Sequence, residues 1–147
     1  MANQTPNTFR VMLWKGQIAC LTDTFKVILM KSGFVFNKDT HHCYADVIAS
    51  EVANGLGYTT GGATLANVAI AANDTLDRSE LTWDDVQWDA VGGALVTSGA
   101  IIYDDTTATG SGHDYTDAIV SYKDAGGDIT APDGNPLILQ DIMEATS

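Results

Sequence analysis

The sequence predicts a mainly β protein: a single-domain β-sandwich or jelly-roll-like barrel with one or two short helices and an extended N-terminal arm. Three observations predict it. The chain has 147 residues, 45% hydrophobic and 18% charged, which is enough to bury one core and far from the composition of disordered chains. Its 14 glycines include the doublets Gly61-Gly62, Gly92-Gly93 and Gly126-Gly127, which cut the chain into short apolar segments. Those segments, about seven over roughly a hundred residues, have the rhythm of a sandwich or small barrel. No long repeat, heptad or low-complexity tract interrupts them.

Taken in order, the elements begin with Met1–Thr8, which is polar, contains Pro6 and has no periodicity. Residues 1–15 are therefore expected to form an arm or docking segment, ahead of a β-rich domain over 16–147. Phe9–Trp14 has the composition of a short helix that Gly16 ends. The clearest strand is Thr24–Met30, rich in Val, Ile and Phe and opened by Asp23-Thr24. Tyr44–Val52 is expected to be helical, with Asp46 near its start and Val47, Ile48 and Val52 on one face. Further strands are expected at Thr64–Ala71, Glu80–Trp83, Val86–Trp88, Ala94–Tyr103, Ala118–Lys123 and Pro136–Asp141. Leu81 and Trp83, then Val86 and Trp88, alternate with polar residues as half-buried strands do. An immunoglobulin domain is not supported, because Cys20 and Cys43 flank no central Trp.

The charge balance excludes several function classes. With 7 Lys+Arg against 19 Asp+Glu, the formal net charge is −12. So acidic a chain lacks the basic face that displaces counterions from nucleic acid, which is not an expected partner. Nor is a membrane: Val27-Ile28-Leu29-Met30 is much too short an apolar run to span a bilayer, and residues 1–15 lack the pattern of a secretory signal. The charges are also unevenly placed. Residues 1–38 hold five basic residues against one acidic, a net of +4, whereas 39–147 hold two against eighteen, a net of −16. This describes either a solvated acidic surface or a polar module whose basic N-terminal segment docks on an acidic partner, including a copy of itself.

Candidate chemistry is sparse. Cys20, in an apolar run, and Cys43, in a polar loop, have no CxxC spacing, and free thiols are the default. His41-His42-Cys43 lacks the second cluster that a zinc site needs. The pairs Asp84-Asp85 and Asp104-Asp105, with Asp74, Asp77, Asp114 and Asp117, match no calcium loop and read as turn aspartates. No Gly-x-Ser-x-Gly elbow, P-loop or dinucleotide fingerprint occurs. Gly110-Ser111-Gly112-His113-Asp114 places its polar residues side by side, whereas triad members converge from separate segments. No enzyme activity, metal or cofactor is expected. Among the aromatics, Trp83 and Trp88 are expected in the core, and Trp14, beside basic residues, is the expected interface anchor.

Five phrases, in order, carry a resemblance. They are Asp23-Thr24-Phe25-Lys26-Val27-Ile28-Leu29; Asp39-Thr40-His41 with Tyr44-Ala45-Asp46-Val47; Ser50-Glu51-Val52 followed by Gly57-Tyr58-Thr59-Thr60-Gly61-Gly62-Ala63-Thr64-Leu65; Asp84-Asp85-Val86-Gln87-Trp88; and Ala100-Ile101-Ile102-Tyr103-Asp104-Asp105-Thr106. Together they resemble a set of β-rich structural proteins of tailed bacteriophages, of the capsid decoration or cement kind. The match runs from about residue 22 to 130 and is most specific in the third phrase. His42-Cys43 and the insertion-like Ala108–Asp117 depart from the pattern.

The resemblance implies a non-enzymatic virion protein, made in the host cytoplasm and located on the capsid surface. Its implied partner is the major capsid protein, whose shell it would bind from outside and stabilise. A further copy of the chain is a second expected partner, with a trimer favoured. The alternatives are a low-copy neck, tail or fibre component and a surface carbohydrate-binding module. The expected interface residues are Arg10, Trp14 and Lys15 in the docking segment, and Lys26, Lys31 and Lys38 around the first strand.

Overall fold

The computed structural model describes residues 2–140 and 142–146. It is mainly β, with 41% strand and 13% helix, and forms a β-sandwich-like single domain. The central sheet has five antiparallel strands in the order β1 (Ala2–Gln4), β8 (Ala118–Ala131), β7 (Leu95–Asp104), β2 (Phe25–Met30) and β3 (Ala63–Thr64). A second sheet orders β10 (Ile142–Thr146), β5 (Arg78–Thr82) and β4 (Ala69–Asn73), and β6 (Val86–Asp89) pairs with β9 (Pro136–Leu139) as a ribbon.

Why β2 reads as an unbroken apolar run is a matter of layers. Phe25, Val27 and Leu29 point into one core with Trp83, Trp88, Leu137 and Leu139. Ile28 and Met30 point into another, on the opposite face, with Phe36, Val47, Ile101 and Tyr122. A strand covered on both sides loses the apolar–polar alternation of a half-buried one. Trp83 and Trp88 are buried as expected, and the alternation around them reflects a strand covered on one side.

The N-terminal residues are built into the domain instead of forming an arm. Ala2, Asn3 and Gln4 pair with Asp124, Lys123 and Tyr122 at the sheet edge. Helix α1 (Asn7–Trp14) follows Pro6 and buries Phe9 and Met12, three positions apart on one side of the helix. Because Met12 is 0% exposed, Met12→Ala is expected to cost about 3 kcal/mol, measured as a shift of the urea midpoint. An unchanged midpoint would return these residues to the status of an appendage.

Other boundaries shift for local reasons. Helix α2 spans only Tyr44–Val47, with Asp46 accepting the N–H groups of His42 and Cys43 at 2.9 and 3.1 Å. A 3-10 turn over Ile48–Ser50 follows, leaving Ile48 half exposed and Glu51 in extended backbone bridged to Met30. The strand expected over Thr64–Ala71 is divided between two sheets. Asn67 breaks it at φ 52°, with its amide donating to Asp84 at 2.7 Å. Gly126-Gly127, expected at a turn, lies within β8 where the register against β7 jumps between Thr97 and Gly99. The expected strand Pro136–Asp141 is observed over Pro136–Leu139, and Asp141 lies outside the described residues.

Candidate interaction surface

Burying Phe9 and Met12 fixes what α1 shows to solvent. Arg10, Val11, Leu13 and Trp14 face outward, and Trp14 is 83% exposed. Between this face and the tip of the β4–β5 hairpin lies an open groove of about 750 Å³. Arg10, Leu13, Trp14 and Lys38 line one part of it, and Asp74, Asp77 and Arg78 another. Arg78 is committed to Glu80 within the hairpin, at 2.7 Å. The chain segment around Lys38 is tied to α1 by the Asn7 N–H, which donates to the Lys38 carbonyl at 3.2 Å.

The six expected interface residues therefore divide. Arg10, Trp14 and Lys38 share the groove. Lys15 is paired with Asp114 at 2.7 Å, and Lys26 with Asp105 at 3.2 Å. Lys31 donates to the Ala49 carbonyl at 2.9 Å and borders a separate cleft. Lys15 and Lys26 thus serve the protein's own acidic loops.

A second cluster underlies the most specific phrase of the sequence. Glu51 is 3% exposed, yet its carboxylate is fully engaged. It accepts the phenol O–H groups of Tyr44 and Tyr58, each at 2.6 Å, and the Gly61 N–H at 2.7 Å. Tyr58 in turn accepts the Leu29 N–H at 3.2 Å, and Tyr103 donates to the Gly61 carbonyl at 3.1 Å while stacking on Tyr44. Burial pushes the phenols of Tyr44 and Tyr58 up, and their hydrogen bonds to Glu51 push them further. Both therefore stay protonated donors at ordinary pH. This network closes the 51–62 loop onto the sheet: it is scaffold chemistry.

The remaining motifs are similarly absorbed. The rings of His41 and His42 diverge, His41 against Phe34 and Phe36 and His42 against Tyr115. Among the described residues, no three His, Cys, Asp or Glu side chains are placed to hold a metal ion, and both cysteines are free. Asp114 takes Lys15 and Gln17 as partners, which hold its carboxyl below the usual range. Sequence reasoning missed Lys123, which is 4% exposed with its ammonium 5.3 Å from the Trp83 ring centre.

No family model, curated protein or solved structure matches the chain. Geometry and the sequence resemblance are what bear on its role. The described helices include none long and apolar enough to cross a membrane.

Proposed function

We propose that the chain is a non-enzymatic structural protein of a tailed-bacteriophage virion, bound in many copies to the outer surface of the major capsid shell. The observation that carries this reading is Trp14. A tryptophan left 83% exposed beside Arg10 and Lys38, on a chain of net charge −12, is the residue type and setting of an interface anchor. The five ordered phrases supply the virion context. Their residues build the sheet, the Glu51 network and the β6 ribbon, so what they describe is a shared scaffold on which the docking face is mounted.

Docking through this groove separates two kinds of contribution. Trp14→Ala is expected to weaken binding to purified shells lacking the protein by about 30-fold, at low and high salt alike, as loss of a packed anchor does. Arg10→Glu with Lys38→Glu is expected to weaken it most at low salt, because the charge effect is screened as salt rises. Cosedimentation of each variant with the shells measures both. Undiminished binding of both variants would remove the groove from the interface.

A further inference from the structure

The second sheet ends on an open edge. Strand β4 pairs with β5 on one side, in consecutive register from Ala69–Thr82 to Asn73–Arg78, and stands last in the order β10-β5-β4. Among the described residues, no backbone hydrogen bond outside that ladder reaches Ala69–Ala72. A strand so placed leaves the N–H and C=O groups that point away from its neighbour without a ladder. Natural proteins blunt such edges with charges, proline, bulges or very short strands. The central sheet does so, since its outer strands β1 and β3 have three and two residues. Strand β4, Ala69-Ile70-Ala71-Ala72-Asn73, carries no charge, no proline and an unbroken register.

Packing does not compensate. Ala69, Ile70, Ala71 and Ala72 are all exposed, Ile70 by 47%, and of β5 only Leu81 is buried. So small a sheet needs a covered apolar face or further strands. Charge decides which strand can join it. Two copies of a chain at −12 repel wherever their acids meet, yet Val52–Asn73 holds no charged residue. On β5, Arg78 and Glu80 pair at 2.7 Å, and the Asn73 amide donates to the same Glu80 oxygen at 3.0 Å. The ends of the strand set the register. An antiparallel pair centred on Ala71 uses the whole of β4 and sets Asp74, just past it, against Val68 of the other copy. Moving the centre toward Asp74 brings two like charges together, which is destabilising. Moving it the other way runs into Asn67, which leaves the strand at φ 52°.

We propose that β4 is a self-association edge: two copies of the chain join by antiparallel pairing of Ala69–Asn73 with the same residues of the second copy, about a two-fold axis at Ala71. The two three-stranded sheets then become one. Ala71 faces its own counterpart, Ile70 faces Ala72, and Ala69 faces Asn73. Main-chain hydrogen bonds across the axis supply the affinity, as in strand addition to a sheet edge. The contact uses the same surface of both copies and is closed, so it stops at two, where the sequence resemblance favoured a trimer. This pairing stands whether or not the chain docks on a capsid.

Sedimentation velocity of the intact protein, over a concentration series reaching the millimolar range, tests it. The weight-average mass is expected to rise to twice that of one chain. Ala71→Lys sets two ammonium groups opposite one another across the axis, and is expected to hold the mass at one chain with an unchanged circular dichroism spectrum. Register is read separately with Ala71→Cys and Ala69→Cys, which add no charge. The 71 positions face one another, whereas the 69 positions lie about 13 Å apart along the strands. A short bis-maleimide is therefore expected to cross-link only Ala71→Cys above the level of the natural protein, whose Cys20 and Cys43 are free. A single-chain mass throughout, a dimer or trimer that Ala71→Lys leaves intact, or equal cross-linking at both positions would each overturn the pairing. So would protection of the β4 amides from hydrogen exchange on capsid shells alone, which would give the edge to a strand of the capsid protein.

Discussion

Glu51→Ala is expected to lower the unfolding free energy by about 4 kcal/mol, among the largest effects of any single substitution in this chain. The carboxylate accepts three hydrogen bonds in a site that is 3% exposed. Bonds to a charged group are worth roughly 1.5–3 kcal/mol each, and removing the acceptor strands their donors without water. Part of that total is offset because the charge no longer has to be buried. Tyr58→Phe removes one donor and leaves the carboxylate two others, so about 1–2 kcal/mol is expected there. Urea titration followed by tryptophan fluorescence measures both, since Trp88 lies 6.1 Å from the Tyr58 ring. A Glu51→Ala loss no larger than that of Tyr58→Phe would mean that the network does not hold the 51–62 loop.

Gly62→Ala is the second large effect, expected at about 3 kcal/mol or more, and its neighbour provides the control. Both glycines lie at positive φ, +90° for Gly61 and +74° for Gly62. A Cβ on Gly61 meets nothing within 4 Å, so Gly61→Ala should cost only the left-handed backbone penalty of about 1 kcal/mol. A Cβ on Gly62 would instead collide with the Val27 carbonyl, in the strand with which Ala63 pairs. Relieving that clash means prising β3 from β2, which adds to the strain. Thermal unfolding of the two variants side by side distinguishes close approach from turn conformation. Equal losses would assign both glycines to the turn alone.

The sequence made the interior legible where burial is one-sided or continuous. Val27 to Met30 and the Leu81–Trp88 alternation carry their surroundings in their side chains, because apolar area decides their placement. What it did not show are elements whose stabilisation lies in the backbone or far along the chain. Strand β1, Ala2-Asn3-Gln4, has no apolar pattern; its ladder to Asp124–Tyr122 is what holds it. Strand β10 likewise follows its register against β5. Only the Tyr44–Val47 end of the expected Tyr44–Val52 helix forms regular helix, since Glu51 must stay extended to meet Tyr44, Tyr58 and Gly61.

Much the same separation holds for the candidate site. Trp14 stood out from composition and neighbours alone. That Arg10 and Lys38 join it along one groove depends on how the 30s loop folds back over α1. Lys15 and Lys26 could not be set aside in advance, because Asp114 and Asp105 lie 99 and 79 residues away along the chain. Asp104, buried at the end of β7, resembled an ordinary acidic turn in sequence; only the layering of the sheet removes it from water.

The central claim is high-copy attachment to a shell, and the copy number per purified virion tests it most directly. Quantitative mass spectrometry of this chain against the major capsid protein is expected to give a ratio near one, or one per a few capsid subunits. About a dozen copies or fewer per particle, or none at all, would contradict decoration of the capsid surface.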